Sequence, residues 1–432
     1  MKLIYFKFPA VAADTPATRL YVKIFPFFYV ASTVSICVSV WLLLVLNWFF
    51  KMSLRKSVLS RGSKRMSVST KDFSPTTWPR YFDDKRSINV NGSIFNVYVK
   101  GSEGPGIVAL HGGGYSGLTW ALFAEEITTK INCHILAIDL RGHGLTHTRD
   151  DSDLDLTTLA NDVNDIINGF YIDEIPPIVL IGHSMGGAVA VEAAHIVENA
   201  VGLCVIDVVE GSALESLSAM QNILRGRPTS FPSLEHAIQW SFRSGQTHNL
   251  EAARVSVPGQ IKNIKTGQLG THDAELQATT RDDAGSTLRL MHQQSADSIA
   301  EVDENDAATT SGTSSNSHEE DSACAINPKV YTWRIDLSKT ERFWNGWFKG
   351  LSQKFLNLPI PKVLLLANIH GLDTVLTIGQ MQGKFQMQVL HKSGHAIHED
   401  QPGNVADIIS GFLVKQKITV SKEGFTPIMP AC

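Results

Sequence analysis

The chain reads as an α/β protein: a mostly parallel central sheet flanked by helices, with a helical cap inserted between the sixth and seventh core strands. Three observations predict it. Short continuous apolar runs such as Gly106–Leu110, His134–Ile138 and Gly202–Ile206 alternate with longer helical stretches, as parallel strands covered on both faces require. The run Pro177–Ile181 leads straight into Gly182-His183-Ser184-Met185-Gly186 and then the small-residue stretch Gly187–Ala194. That is a strand, a tight turn and a helix able to pack closely on a sheet. After a long interruption, Lys362–Ala367, Phe385–Leu390 and Val405–Lys415 resume the alternation.

Taken in order, residues 1–51 come first as an apolar extension or a membrane anchor. Ile24 to Phe50 holds no charged residue over 27 positions, long enough to cross a bilayer. Four Lys/Arg residues precede it and six follow closely, which would leave the domain downstream of an anchor on the cytosolic side. Met52 opens a basic, Ser-rich segment that reads as an ordinary soluble N-terminus, and the extension reading is preferred. Residues 52–80 form a basic flexible linker. Residues 81–211 are the first part of the core, with a hairpin of Ser87–Gly92 and Ser93–Lys100 turning at Asn91-Gly92. Helices follow near Leu118–Lys130 and Leu156–Phe170.

Residues 212–266 and 328–358 look helical and aromatic (Trp240, Trp333, Trp344, Trp347) and form the cap. Between them, residues 267–327 carry twelve Asp/Glu against two Arg, and so few apolar groups that burial cannot offset chain entropy. A disordered acidic insertion is expected. Residues 359–416 complete the core and 417–432 form a tail. A net charge of −4 gives no reason to expect nucleic acid. The five cysteines are scattered without metal-ligand spacing, so no metal site is expected and a reducing compartment fits best.

The chemistry follows from the turn. A G-x-S-x-G after a buried strand is the nucleophile elbow of α/β-hydrolases, which makes Ser184 the candidate nucleophile. Its base should come late in the chain. Gly394-His395 is the leading candidate, with His398 as rival; His143 and His183 read as loop-shaping and packing or orienting groups. His111-Gly112-Gly113-Gly114 resembles the glycine loop that supplies one oxyanion N–H, from Gly113 or Gly114, with Met185 supplying the other. The acid is ambiguous on spacing. Asp373, after the penultimate strand, is slightly favoured over Asp207, which ends the strand after the elbow helix; Asp139 reads as structural.

The stretches LIGHSMGGAVAVEAA, GLCVIDVVEG, MQNILRGRP, ARVSVPGQIK, YTWRIDLSKTERFWNGWFKGL and TIGQMQGKFQMQVLHKSGHAIHED resemble the protein phosphatase methylesterase family, over roughly Asp72 to Leu413. The resemblance implies removal of the methyl ester from the C-terminal leucine of the protein phosphatase 2A catalytic subunit. It implies Ser184 as nucleophile, His395 as base and, against the spacing, Asp207 as acid. It also implies a variable acidic insertion at 267–327 and no cofactor of the enzyme's own. The partner would present its C-terminal tail and active-site face to Arg225, Arg227, Trp333, Gln380, Met381 and Lys384. The family is soluble, which implies a cytoplasmic and nuclear location; the apolar segment at 24–50 departs from it, and membrane attachment follows only if that segment is retained. A general carboxylesterase or lipase, or a mainly stoichiometric phosphatase-binding inhibitor, are the competing readings.

Overall fold

The computed structural model describes residues 71–280, 330–369 and 372–427. The apolar segment 24–50, most of the predicted linker and residues 281–327 of the predicted insertion lie outside them. No helix among the described residues is long and apolar enough to cross a membrane.

The core is an eight-stranded sheet in the order β1-β2-β4-β3-β5-β6-β10-β11. Its strands are β1 (Asp84–Val90), β2 (Ser93–Lys100), β3 (Gly106–Leu110), β4 (His134–Ile138), β5 (Ile178–His183), β6 (Ala200–Ile206), β10 (Lys362–Leu366) and β11 (Gln386–Val389). Only β1 and β2 run antiparallel to their neighbours. The β1–β2 turn sits where predicted, with Asn91 at φ 50° and Gly92 at φ 81°, the two left-handed residues a tight hairpin turn demands. The central strands β3, β4 and β5 are buried along their whole length, which is why they read as unbroken apolar runs.

Helices α1 (Ala121–Lys130), α2 (Leu156–Phe170), α3 (Met185–Ala193) and α11 (Pro402–Lys415) cover the two faces. Amphipathicity drives α2: Leu159, Val163, Ile166 and Ile167 recur at helical spacing and are all buried. Asp155 starts it by accepting from Thr157 N–H.

The cap lies between β6 and β10, as predicted. Its first part holds α4 (Glu210–Arg225), α5 (Leu234–Ser244) and α6 (Leu250–Ser256); its second holds α7 (Glu341–Phe348) and α8 (Leu351–Asn357). It is not wholly helical. Strands β7 (Ser230–Phe231), β8 (Ile261–Asn263) and β9 (Tyr331–Trp333) form a small antiparallel sheet joining the two parts. The first part has its own core around Phe231, Leu234, Ile238 and Ile261, whereas Trp344, Trp347 and Phe348 of the second part belong to the main core.

Two predicted boundaries are corrected. The linker does not reach residue 80: Phe73 packs against the cap core, Arg254 binds Asp72 and the Ser74 carbonyl, and Trp78–Arg80 is a short helical turn. The acidic insertion does not begin at 267 either. Residues 270–280 are helical, with Ala274 buried in the cap core and Glu275 accepting from Trp78 Nε1 at 2.8 Å. Averaging composition over a long window hid a short helix with one buried face.

Candidate active site

The end of β5 is bent hard. Ser184 stands at φ 53°, ψ −121°, a left-handed geometry that costs a non-glycine residue about 1–3 kcal/mol and persists only where the surroundings enforce it. Here they do. Ser184 N–H donates to Ile206 O at 3.0 Å and Gly187 N–H donates to Ser184 O at 2.8 Å. A methyl group on Gly182 would collide with Gly186 O, and one on Gly186 with Leu110 O. The two glycines are therefore demanded by backbone approach, and they lift Ser184 clear of the sheet at the N-terminus of α3.

Asp207, the residue after β6, is also left-handed at φ 52°. Its N–H donates to Leu365 O at 2.8 Å, and its Oδ1 accepts from Ala367 N–H at 2.8 Å. Strand β10 and the residue just past it thus fix Asp207, leaving Oδ2 to accept from His395 Nδ1 at 2.7 Å. That bond puts the imidazole proton on Nδ1 and leaves Nε2 with a lone pair. The His395 carbonyl in turn accepts from His183 Nε2 at 2.9 Å, with the two rings 4.6 Å apart. His183 is fully buried, and desolvation holds its pKa well below the ordinary value. The residue immediately before Ser184 thereby clasps the backbone of His395.

The rival residues do other work. Asp373, favoured by spacing, caps α9 (Thr374–Met381): its Oδ1 accepts from Leu376 N–H at 2.8 Å and its Oδ2 takes the Ser352 hydroxyl. His398 is buried, bonds Thr119 Oγ1 at 2.9 Å and lies on Trp120 at 4.2 Å; desolvation pushes its pKa down to about 3. Asp139 is structural as expected, accepting from the N–H groups of Gly117 and Leu145, and burial pushes its pKa up to about 6.

The glycine loop requires a correction. Gly114 N–H donates to His143 Nε2 at 2.9 Å, while His143 Nδ1 donates to Arg141 O at 2.8 Å. Burial drives the His143 pKa down to about 4, so the ring is a neutral acceptor and the Gly114 amide is committed to it. The N–H groups of Gly113 and Met185 have no such acceptor among the described residues. Leu337 of the cap closes over this loop: a methyl group built on Gly114 would lie 2.9 Å from Leu337 Cδ1.

Arg225, Arg227 and Trp333 come together, lining a cleft of about 520 Å³ that also includes Leu337. Gln380, Met381 and Lys384 do not join them; they occupy the end of α9 and the turn into β11, with Met381 83% exposed. Sequence reasoning missed Leu337, and it missed Asp400 at the end of α10 (Ile397–Asp400). Asp400 accepts from Gly394 N–H at 2.6 Å and from the cap residue His248 through N–H and Nδ1. The GHAIHED run contained that signal, an acid five residues beyond the candidate base. Among the described residues no three His, Cys, Asp or Glu side chains gather to hold a metal ion.

The Alpha/beta hydrolase family model matches residues 107–408. Protein phosphatase methylesterase 1 of Mus musculus is 45% identical over 380 residues, covering 86% of this chain and 93% of the mouse protein. The probable protein phosphatase methylesterase 1 of Caenorhabditis elegans is 41% identical over 363 residues, 83% of each chain. Protein phosphatase methylesterase 1 of Schizosaccharomyces pombe is 32% identical over 404 residues, covering 88% of this chain and all of the yeast protein (100%). Among solved structures, E-2-(acetamidomethylene)succinate hydrolase superposes with a TM-score of 0.52 at 15% identity, over 77% of this chain and 99% of the other; that likeness concerns the fold alone.

Proposed function

The chain belongs to the protein phosphatase methylesterase family of α/β hydrolases, and from that premise we propose that it hydrolyses the methyl ester on the C-terminal leucine of the protein phosphatase 2A catalytic subunit. The observation that carries the mechanism is the Asp207–His395 pair at 2.7 Å, clasped through His183 to the elbow that bears Ser184.

His395 Nε2, left bare by the proton on Nδ1, takes the hydroxyl proton as Ser184 Oγ attacks the ester carbonyl carbon. Asp207 holds the tautomer and stabilises the imidazolium. The oxyanion that forms is met by the N–H groups of Met185 and Gly113, worth about 3–4 kcal/mol per donor in comparable sites. Imidazolium returns its proton to the departing methoxide, which leaves as methanol. Water then attacks the acyl-enzyme with His395 again as base, and Ser184 recovers its proton as the free carboxylate departs. Selectivity for a protein tail comes from two surfaces: in the cap, Arg225, Arg227 and Trp333 border the approach to the glycine loop, and beyond β10, Gln380, Met381 and Lys384 offer a second contact surface to the partner. The site of action is the cytoplasm and nucleus, tested by fractionating cells that express the full chain.

The test uses carboxymethylated phosphatase with a radiolabelled methyl group. The wild-type chain should release labelled methanol, and Ser184→Ala should lower the rate by at least about 10³-fold while still binding the phosphatase. Turnover of nitrophenyl esters with no release from the phosphatase would favour a general esterase. Undiminished release by Ser184→Ala would end the reading.

A further inference from the structure

Among the described residues, the arginines that leave the surface are otherwise paired. Arg141 grips both oxygens of Asp162, Arg254 binds Asp72 and Glu251, and Arg334 binds Asp151 together with the carbonyls of Gly144 and Thr146. Arg227 is the exception. Its guanidinium lies 3.7 Å from the centre of the Trp333 ring and 5.9 Å from that of Trp240. Among the described residues, no carboxylate, carbonyl or hydroxyl accepts a hydrogen bond from it. Stacking satisfies the face of a guanidinium but none of its in-plane N–H donors. A half-buried cation held flat, with its donor edge empty, is an unfinished ion pair.

The donor edge has a place to be completed. Arg227 lines the cleft of about 520 Å³ with Arg225, Thr332 and Ser338. The two acids on its wall are engaged elsewhere: Asp336 takes Ser338 N–H and hydroxyl, and Glu341 takes the Gln221 amide. Leu337 carries the cleft to the glycine loop, since it lines the one and touches the other. Tyr115 gives a second measure of closeness. Its ring packs edge-on against His183 at 5.6 Å, and its phenol, kept neutral by burial, lies within electrostatic range of the Arg227 guanidinium. Tyr115 therefore places Arg227 in the neighbourhood of the elbow. An extended substrate advances about 3.3–3.6 Å per residue, so the group that meets Arg227 belongs to the last few residues before the ester.

We propose that Arg227 is a specificity residue whose guanidinium, held flat on Trp333, receives the side-chain carboxylate of an acidic residue a few positions upstream of the esterified terminus. This rests on the methylesterase reading. A carboxylate matches the planar donor fork in two parallel hydrogen bonds, and the esterified terminus, being neutral, cannot supply that charge itself.

The experiment uses six-residue peptides ending in leucine methyl ester, neutral except for one aspartate or asparagine walked through the five upstream positions. The quantity read is the ratio of kcat/KM for the aspartate peptide over its asparagine twin. Wild type should show about a tenfold preference for aspartate in one register, carried by KM. Arg227→Lys should retain part of it, and Arg227→Gln should bring the ratio to about one. The melting temperature of each variant reports its folding. Peptides turned over too slowly are read as competitors of phosphatase demethylation, with the same ratio taken in the inhibition constant. A wild-type ratio below about two in every register overturns the proposal, as does a preference that survives in Arg227→Gln. Carboxymethylated phosphatase separates the two levels: its demethylation with flat ratios sinks Arg227 alone, whereas no demethylation of either substrate sinks the reading beneath it.

Discussion

The segments that follow β6 and β10 look alike in sequence and behave differently in space. Both strands are apolar, both are interior, they are hydrogen-bonded neighbours, and each is followed by an aspartate. Asp207 comes immediately after its strand, in a left-handed conformation; Leu365 O and Ala367 N–H fix it, and its free oxygen faces His395. Asp373 comes seven positions after Leu366, and both its oxygens are spent, one on the first turn of α9 and one on Ser352. A carboxylate serves catalysis only with an oxygen left over once local structure has been satisfied.

The strongest way to break this comparison is to exchange each acid for its amide. Asp207→Asn should lower kcat on methylated phosphatase by about 10⁴-fold, because the amide presents N–H to His395 and favours the wrong tautomer. Asp373→Asn should leave kcat within about threefold. The reverse pattern, measured by methanol release, would reinstate the reading from spacing.

A third carboxylate sharpens the contrast. Glu399 is 1% exposed and accepts from Thr119 Oγ1 at 2.6 Å; desolvation lifts its pKa from 4.5 to about 7. Because the folded value lies above the unfolded one, the native state keeps a proton that the unfolded chain releases. The resulting stability is fully present below about pH 4.5 and is lost as pH rises through about 7. Glu399→Gln should therefore lose less stability than wild type between pH 5 and pH 8, by roughly 2–3 kcal/mol, as measured by urea unfolding at each pH. Parallel curves for the two proteins would show that Glu399 is ionised throughout.

The smallest effect concerns the cap of α9. Asp373→Ala should cost about 1 kcal/mol of stability through the lost N-cap, with kcat unchanged within about threefold. Thermal unfolding and methanol release, taken on one sample, check both halves.

Much of this was legible in the chain. Strands β3 and β4 begin and end at the predicted residues, because buried parallel strands must be apolar at every position. Ser184 and His395 could be singled out as candidates because a strained turn needs Gly182 and Gly186 beside it, and because the order of nucleophile, acid and base along such chains is narrow. The acid was not legible from spacing, since spacing does not record which oxygen remains free. Nor was the state of Gly114, whose amide is claimed by a histidine 29 residues away. The helix at 270–280 and the docking of Phe73 were lost for a different reason. Each contributes one or two side chains to a cap core assembled from distant segments, too little to register in local composition.

By itself, then, the sequence determined the layered fold, the elbow and the late histidine, because each depends on local patterning of apolar residues and glycines. Only the packed tertiary structure shows which carboxylate oxygen stays free to face His395, which amide remains for an oxyanion, and which arginine among the described residues stacks without an acceptor. Those are matters of hydrogen-bond satisfaction across segments far apart in the chain. A donor or acceptor is available for chemistry only when every nearer claimant in three dimensions has been met elsewhere.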